Sequence, residues 1–204
     1  MSPGSVLVVF LASFVASTTS AGFQYVTCGS VLKLLHIQTN SRLHSHEVRY
    51  GSGSGQQSVT GVSQSDDANS YWVVKGTEDK PCRRGNPIKC GATIRLNHLS
   101  TRLNLHSHLF QSPLSNHQEV SAFGENGVGD TGDYWTLECD DEYWERDEAI
   151  IMKHKDTGMF LSATGHTYGR PIHGQREIVA VSDSGYASQW KAMEGVYVKP
   201  SEEK

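Results

Sequence analysis

Arg95 to Leu105 reads R-L-N-H-L-S-T-R-L-N-L, and this chain writes the same phrase twice more. Earlier it is K-L-L-H-I-Q-T-N-S-R-L, from Lys33 to Leu43; later it is the shortened M-K-H-K-D-T-G-M-F-L, from Met152 to Leu161. Each copy continues to a short segment with Gln and a valine or isoleucine (Gln56 to Val59, Gln118 to Val120, Gln175 to Ile178) and ends at Trp72, Trp135 or Trp190. The anchors drift together. Successive copies are 62 and 56 residues apart at His36, His98 and His154, 62 and 56 apart at Leu43, Leu105 and Leu161, and 63 and 55 apart at the tryptophans. Self-similarity of this kind makes the fold threefold and directs the search for function to repeat surfaces rather than to one enzyme cleft.

Each copy reads as strand. Val31, Lys33 and Leu35 alternate with Leu32 and Leu34, as Ala92, Ile94 and Leu96 do with Thr93 and Arg95, and turn residues interrupt every few positions. Between Tyr50 and Gly61 the glycine-rich run excludes helix. Four strands in each repeat leave about 15 residues for a strand and its connection, an ordinary allowance. Three four-stranded units closing on a pseudo-threefold axis form an all-β fold, the β-trefoil, in which closure removes exposed sheet edges. The repeats are expected at about 27–80, 88–140 and 146–198. Leu34, Leu43, Val59 and Trp72, with Leu96, Leu105, Val120, Trp135 and Trp190, are the expected core, because large apolar residues recurring in register are what three packed units need.

The remaining signals bound the class of protein. Val6 to Ala16 is an apolar run too short to span a bilayer, and the small residues from Ser17 to Gly22 follow it, so residues 1–21 read as a cleaved secretory signal and 22–204 as the mature domain. Eighteen basic against 22 acidic residues, with no block of one sign, exclude the basic stripe that nucleic acid requires. No second apolar run approaches membrane-spanning length. Export makes disulfides the expectation for Cys28, Cys82, Cys90 and Cys139. Cys82 and Cys90 flank Arg83-Arg84-Gly85-Asn86-Pro87, whose Gly, Asn and Pro mark a reversing loop, so the expected pairs are Cys82–Cys90 and Cys28–Cys139. The competing zinc reading finds no Cys-x-x-Cys spacing.

Longer strings carry a resemblance. Arg42-Leu43-His44-Ser45-His46, then Tyr50 to Gly61 and Asn69-Ser70-Tyr71-Trp72, are similar to the stromal cell-derived factor 2 family. So are Leu105-His106-Ser107-His108, Ser112 to Ser115, Gln118 to Ser121, Tyr168 to Ile172 and Trp190 to Gly195. The resemblance runs from about Thr27 to Ser201 and implies three MIR motifs, which also occur in protein O-mannosyltransferases and in inositol trisphosphate and ryanodine receptors. It implies a β-trefoil of the endoplasmic reticulum lumen that works beside a J-domain co-chaperone and the lumenal Hsp70 in folding quality control. The chain ends Lys199-Pro200-Ser201-Glu202-Glu203-Lys204 without the retrieval tetrapeptide of several relatives, so retention would depend on a partner, or the protein is secreted.

The chemistry points to binding. His44 and His46, like His106 and His108, are two apart and share one strand face, where two imidazoles suit a transition metal. With no cysteine or carboxylate recurring beside them in sequence, the favoured role is to fix the turn after the strand; contact with a ligand is the next reading. His36, His98 and His154 occur in all three copies and read as structural. Asp140-Asp141-Glu142 reads as a solvated turn, no proper Gly-x-Ser-x-Gly elbow occurs, and the glycine-rich loop lacks the Lys-Ser/Thr of a phosphate loop. A non-enzymatic protein without cofactor or metal is expected. Its partners would be the co-chaperone complex and unfolded clients, or, as a lectin-like module, glycans stacked on Tyr50, Tyr143, Trp144 and Tyr168. Recognition is expected where the repeats disagree: Tyr50 to Gln57, Glu125 to Asp133 and Asp140 to Arg146, with Tyr50, Tyr143, Trp144 and Arg146 as anchors.

Overall fold

The computed structural model describes residues 24–199, so the expected signal segment, residues 1–21, and the last five residues lie outside it. Twelve strands form in three sets of four: β1 (Val31–His36), β2 (Ser41–Arg49), β3 (Gln57–Val62), β4 (Trp72–Gly76); β5 (Thr93–His98), β6 (Asn104–Gln111), β7 (Gln118–Phe123), β8 (Trp135–Glu138); β9 (Ile150–His154), β10 (Phe160–Thr167), β11 (Arg176–Val181), β12 (Gln189–Val196). The first and last strand of each set build an antiparallel barrel that closes in the order β1-β4-β5-β8-β9-β12 and back to β1. The middle strands form three hairpins that cap one end, joined around the axis by the pairings of β3, β7 and β11. This is the β-trefoil.

Periodic sequence becomes periodic packing. Leu34, Leu96 and Met152 form one buried layer, Leu43, Leu105 and Leu161 a second, and Val59, Val120 and Ile178 a third at the cap. Trp72, Trp135 and Trp190 are fully buried between barrel and cap, and deletion of such a side chain to Ala costs about 3–5 kcal/mol. The turn after the first strand of each repeat demands a positive φ at Asn40 (51°), Arg102 (63°) and Gly158 (71°). Asn and Gly suit that conformation and Arg102 does not, so the turn geometry is imposed by the repeat rather than by local preference.

Both disulfides differ from the expected pairing. The bonds are Cys28–Cys82 and Cys90–Cys139, with Cα separations of 5.9 and 5.5 Å. A turn does form at Arg83–Asn86, with Asn86 N–H donating to the Arg83 carbonyl, but it does not join Cys82 to Cys90; the turn lies against the N-terminal segment, with Gly85 N–H donating to the Cys28 carbonyl and Cys28 N–H to that of Asn86. Each disulfide therefore joins the segment before a repeat's first strand to the segment after its last. The bonds obey the repeat that the tryptophans reveal. In the third repeat Arg146 stands at the register position of Cys28 and Cys90, and its guanidinium lies 4.0 Å from the centre of the Tyr197 ring, just after β12. A cation–π clasp thus holds the ends where the other repeats are cross-linked.

Trp144 and Tyr50 also differ from expectation. Trp144 is fully buried, exchanging backbone hydrogen bonds with Val26 and Ile88, which precede it by the same 62- and 56-residue steps as the histidines. It plugs the open end of the barrel. Tyr50 is buried under the cap with Tyr168 and Ile172; its hydroxyl lies 2.9 Å from the Val59 carbonyl and 3.0 Å from that of Val120. Burial holds its phenol pKa well above the usual tyrosine value. Neither is a free surface anchor.

Peptide mapping under non-reducing conditions should recover Cys28 with Cys82 and Cys90 with Cys139. Replacing either pair by Ala closes no loop of about 50 residues in the unfolded chain and should lower the unfolding free energy by up to about 4 kcal/mol. Recovery of a Cys82–Cys90 peptide would contradict this arrangement.

Candidate functional site

The invariant histidines have three identical tasks. His98 packs on Trp72 at 4.9 Å between ring centres, His154 on Trp135 at 4.9 Å and His36 on Trp190 at 4.8 Å, each reaching the preceding repeat around the barrel. Nε2 donates to the carbonyl of Asn69 (2.9 Å), Gly132 (2.9 Å) or Ala187 (2.7 Å), the middle residue of a short 3-10 turn. Nδ1 accepts from the hydroxyl of Thr101 (2.8 Å), Thr157 (2.9 Å) or Thr39 (2.9 Å). A carbonyl can only accept, so these partners assign the proton to Nε2. The structural reading of these three residues holds.

The second set of histidines is asymmetric. His44 donates through Nδ1 to Asp67 at 2.9 Å, and its Nε2 lies 3.1 Å from Nδ1 of His46. In the second repeat Asp133, fully buried, replaces Ser70 and takes His106 Nδ1 at 2.9 Å, while the more exposed Asp130 lies at 3.6 Å. His108 Nε2 sits 3.1 Å from the buried Glu119. Carboxylates therefore do recur beside these histidines, contrary to the sequence reading. They come from positions 23 and 27 residues downstream, where only the folded hairpin brings them close. The third repeat has Ser162 and Thr164 instead, with Thr164 donating to the buried Glu177 at 3.0 Å.

His106, Asp130 and Asp133 offer three ligand atoms within 4.8 Å of one another. The oxygens of Asp133 are already engaged by Asn104 Nδ2, the Asp130 N–H and His106, and the two aspartates close a capping box on the turn Thr131–Asp133. That is the geometry of a hydrogen-bonded cap. Among the described residues no hydroxyl or thiol hydrogen-bonds to His106 Nε2.

A groove of about 540 Å³ opens beside this cap, lined by His106, His108, Leu109, Phe123, Asp130 and Asp156 among others. A second of similar size lies on the other side of Phe123, along Glu125, Val128 and Asp130. The divergent loop Glu125 to Asp133 thus borders both. Leu109 is 86% exposed and Phe110 is 50% exposed at the bulge where β6 leaves register with β7, and Leu114 is exposed nearby. The first and third repeats carry Glu47-Val48 and Gly165-His166 there. Two adjacent apolar residues on a strand cannot both face the core, and that signal was readable in the sequence.

The expected anchors are scattered. Tyr50 and Trp144 are core, and Arg146 is the clasp on Tyr197. Tyr143 is half-buried against Tyr25 at 5.3 Å, on the opposite end of the barrel from the cap hairpins that hold His44, His46, His106 and His108.

Burial holds the pKa of His36, His98 and His154 below the usual histidine value, because desolvation disfavours the charged imidazolium. A depressed histidine contributes stability that is complete above the unfolded value near 6.5 and is lost as pH falls from there through the folded pKa. Melting temperature should therefore decline from pH 7.5 to pH 5.5; a flat profile would contradict the assignment.

The MIR domain family model matches residues 44–168. Human stromal cell-derived factor 2 is 59% identical over 177 residues, 87% of this chain and 84% of that protein. The crystal structure of the SDF2-like protein from Arabidopsis thaliana superposes with a TM-score of 0.83 at 45% identity, covering 86% of this chain and 98% of that one. A part of the S. cerevisiae protein O-mannosyltransferase complex bound to the sugar donor superposes with a TM-score of 0.74 at 25% identity, covering 89% of this chain and 27% of that one.

Proposed function

The chain belongs to the stromal cell-derived factor 2 family, and from that membership we propose that it is a non-enzymatic adaptor of the endoplasmic reticulum lumen, holding a J-domain co-chaperone and through it the lumenal Hsp70. Unfolded clients are a further partner class. The observation that carries this reading is the apolar pair Leu109 and Phe110 on the bulge of the second repeat, where Leu109 is exposed beside a groove and the half-exposed Phe110 ring packs on one side against His108 at 4.7 Å between ring centres. Exposing two large apolar side chains together is unfavourable in an isolated protein and favourable in one that docks. The two disulfides suit an oxidising compartment, and among the described residues no helix is long and apolar enough to cross a membrane.

A lectin-like role is the second reading. It is favoured by the polar lining of the same groove, where His106, His108, Asp130 and Asp156 surround Phe123, and by the likeness to a part of an O-mannosyltransferase. A glycan array with the purified protein examines it directly.

Replacing Leu109 and Phe110 together by Ser removes one ring contact, that of Phe110 on His108, and should lower stability by no more than about 1 kcal/mol. The same variant should recover at least about tenfold less co-chaperone from lumenal extract, the loss expected when an interface anchor worth more than about 1.4 kcal/mol is removed. Undiminished recovery would contradict the docking surface. Failure of the unaltered protein to recover any chaperone, with binding on the array, would favour the lectin reading.

A further inference from the structure

One junction between repeats is built differently from the other two. In the first repeat Gln57 opens the inner cap strand opposite Ala122, and in the second Gln118 does so opposite Ala180. Each glutamine amide donates to two hydroxyls, Gln57 to Ser45 (2.8 Å) and Thr101 (2.9 Å), Gln118 to Ser107 (2.7 Å) and Thr157 (2.9 Å). These are the threonines that serve His98 and His154, so the glutamine completes a chain of hydrogen bonds from cap to barrel. At the third junction the corresponding residue is Arg176, and the residue opposite it is Gly61.

The two changes compensate. A Cβ at Gly61 would lie 3.1 Å from Ser41 Cβ and 3.2 Å from Arg176 Cβ, so glycine leaves room for the larger side chain. Ala163 stands where the other repeats have Ser45 and Ser107, so the amide acceptor is gone as well. Arg176 turns its Nε to Ser41 Oγ at 3.0 Å. Arg176 is partly buried, and its two terminal nitrogens differ from those of the buried Arg42 and Arg95. Arg42 is paired with Glu194 and Arg95 with Glu78, whereas among the described residues no carboxylate lies within ion-pair distance of Arg176.

The guanidinium lines a groove of about 390 Å³ with Ser41, Ser63, Gln64, His173 and Gln175. Asp67 and His44 also reach this groove, but Asp67 Oδ2 is already taken by His44 at 2.9 Å and Ser70 at 2.6 Å. A partly buried guanidinium, held at Nε with its remaining donors open, has the fork geometry that pairs with two oxygens of one anion. Hydroxyl, amide and imidazole groups around it add further donors.

We propose that the groove at the junction of the third and first repeats is an oxyanion-binding site in which Arg176 receives the phosphate, sulfate or carboxylate group of a small ligand. This is independent of the adaptor reading, because inorganic anions probe it with no partner protein present.

The test is an NMR titration of the arginine Nε–H resonances in the isotopically labelled mature chain, at constant ionic strength in chloride, with inorganic phosphate, sulfate and acetate in separate arms. At least one arm should give a saturable shift of the Arg176 resonance. Phosphate or sulfate alone would identify a tetrahedral ester as the ligand group, and acetate a carboxylate. Backbone amide shifts around Ser63 and Gln175 should follow the same isotherm in the unaltered chain and lose at least about tenfold in affinity in Arg176→Gln. Glutamine is the residue the other two repeats use, and a thermal melt checks that the variant is folded. Absence of a saturable response in all three arms, or an equal response in Arg176→Gln, would overturn the proposal.

Discussion

The fold depends on one contact made three times. The indole N–H of Trp72, Trp135 and Trp190 donates to the carbonyl of Leu43, Leu105 and Leu161 at 2.9, 3.0 and 2.9 Å, tying a barrel strand to the cap hairpin of its own repeat. Behind each indole lies the histidine of the next repeat, which also binds the 3-10 turn before that tryptophan. One unit therefore couples barrel, cap and neighbouring repeat. A buried indole N–H or imidazole without a partner costs about 1–3 kcal/mol, so the contact is demanding as well as stabilising. This explains why tryptophan and histidine recur where leucine and valine are elsewhere interchangeable.

Where symmetry closes the molecule, departures from it mark what the molecule is free to use. The second repeat departs at Leu109 and Phe110 and at Asp133, and Leu109 lines a groove there with His106, His108 and Asp130. The third junction departs at Arg176, Gly61 and Ala163 together, and there the hydrogen-bonded chain of the other junctions is replaced by an open guanidinium. The ends of the third repeat depart too, but Arg146 on Tyr197 substitutes for a disulfide and restores closure. Departures of the first two kinds leave donors or apolar surface open to solvent; in the last the guanidinium is covered by the Tyr197 ring, with its buried Nε lacking a hydrogen-bond partner among the described residues.

The threefold plan, the strand count and the tryptophan and leucine core were legible because a period needs no knowledge of contacts. The same period, applied further, places Trp144 with Val26 and Ile88 and matches Cys28 with Cys90, but local signals outweighed it. Gly-Asn-Pro between Cys82 and Cys90 marks a turn that does form, but hydrogen bonds hold that turn against Cys28, which takes Cys82 as its partner. An aromatic beside Asp140 to Glu142 suggests a surface, whereas Trp144 fills the barrel mouth. The carboxylates that face His44 and His106 are separated from them by a hairpin, and no spacing rule reaches that far. Site geometry is set by register between strands, which sequence periodicity constrains only loosely.

The most direct test replaces His36, His98 and His154 by Ala one at a time and measures the unfolding free energy of each variant. If the tripled contact governs the fold, the three losses are of similar size, each about 2–4 kcal/mol from the lost packing and the unpaired threonine and carbonyl. A variant that keeps full stability while the other two lose it would show that the junctions are not equivalent and would contradict the account.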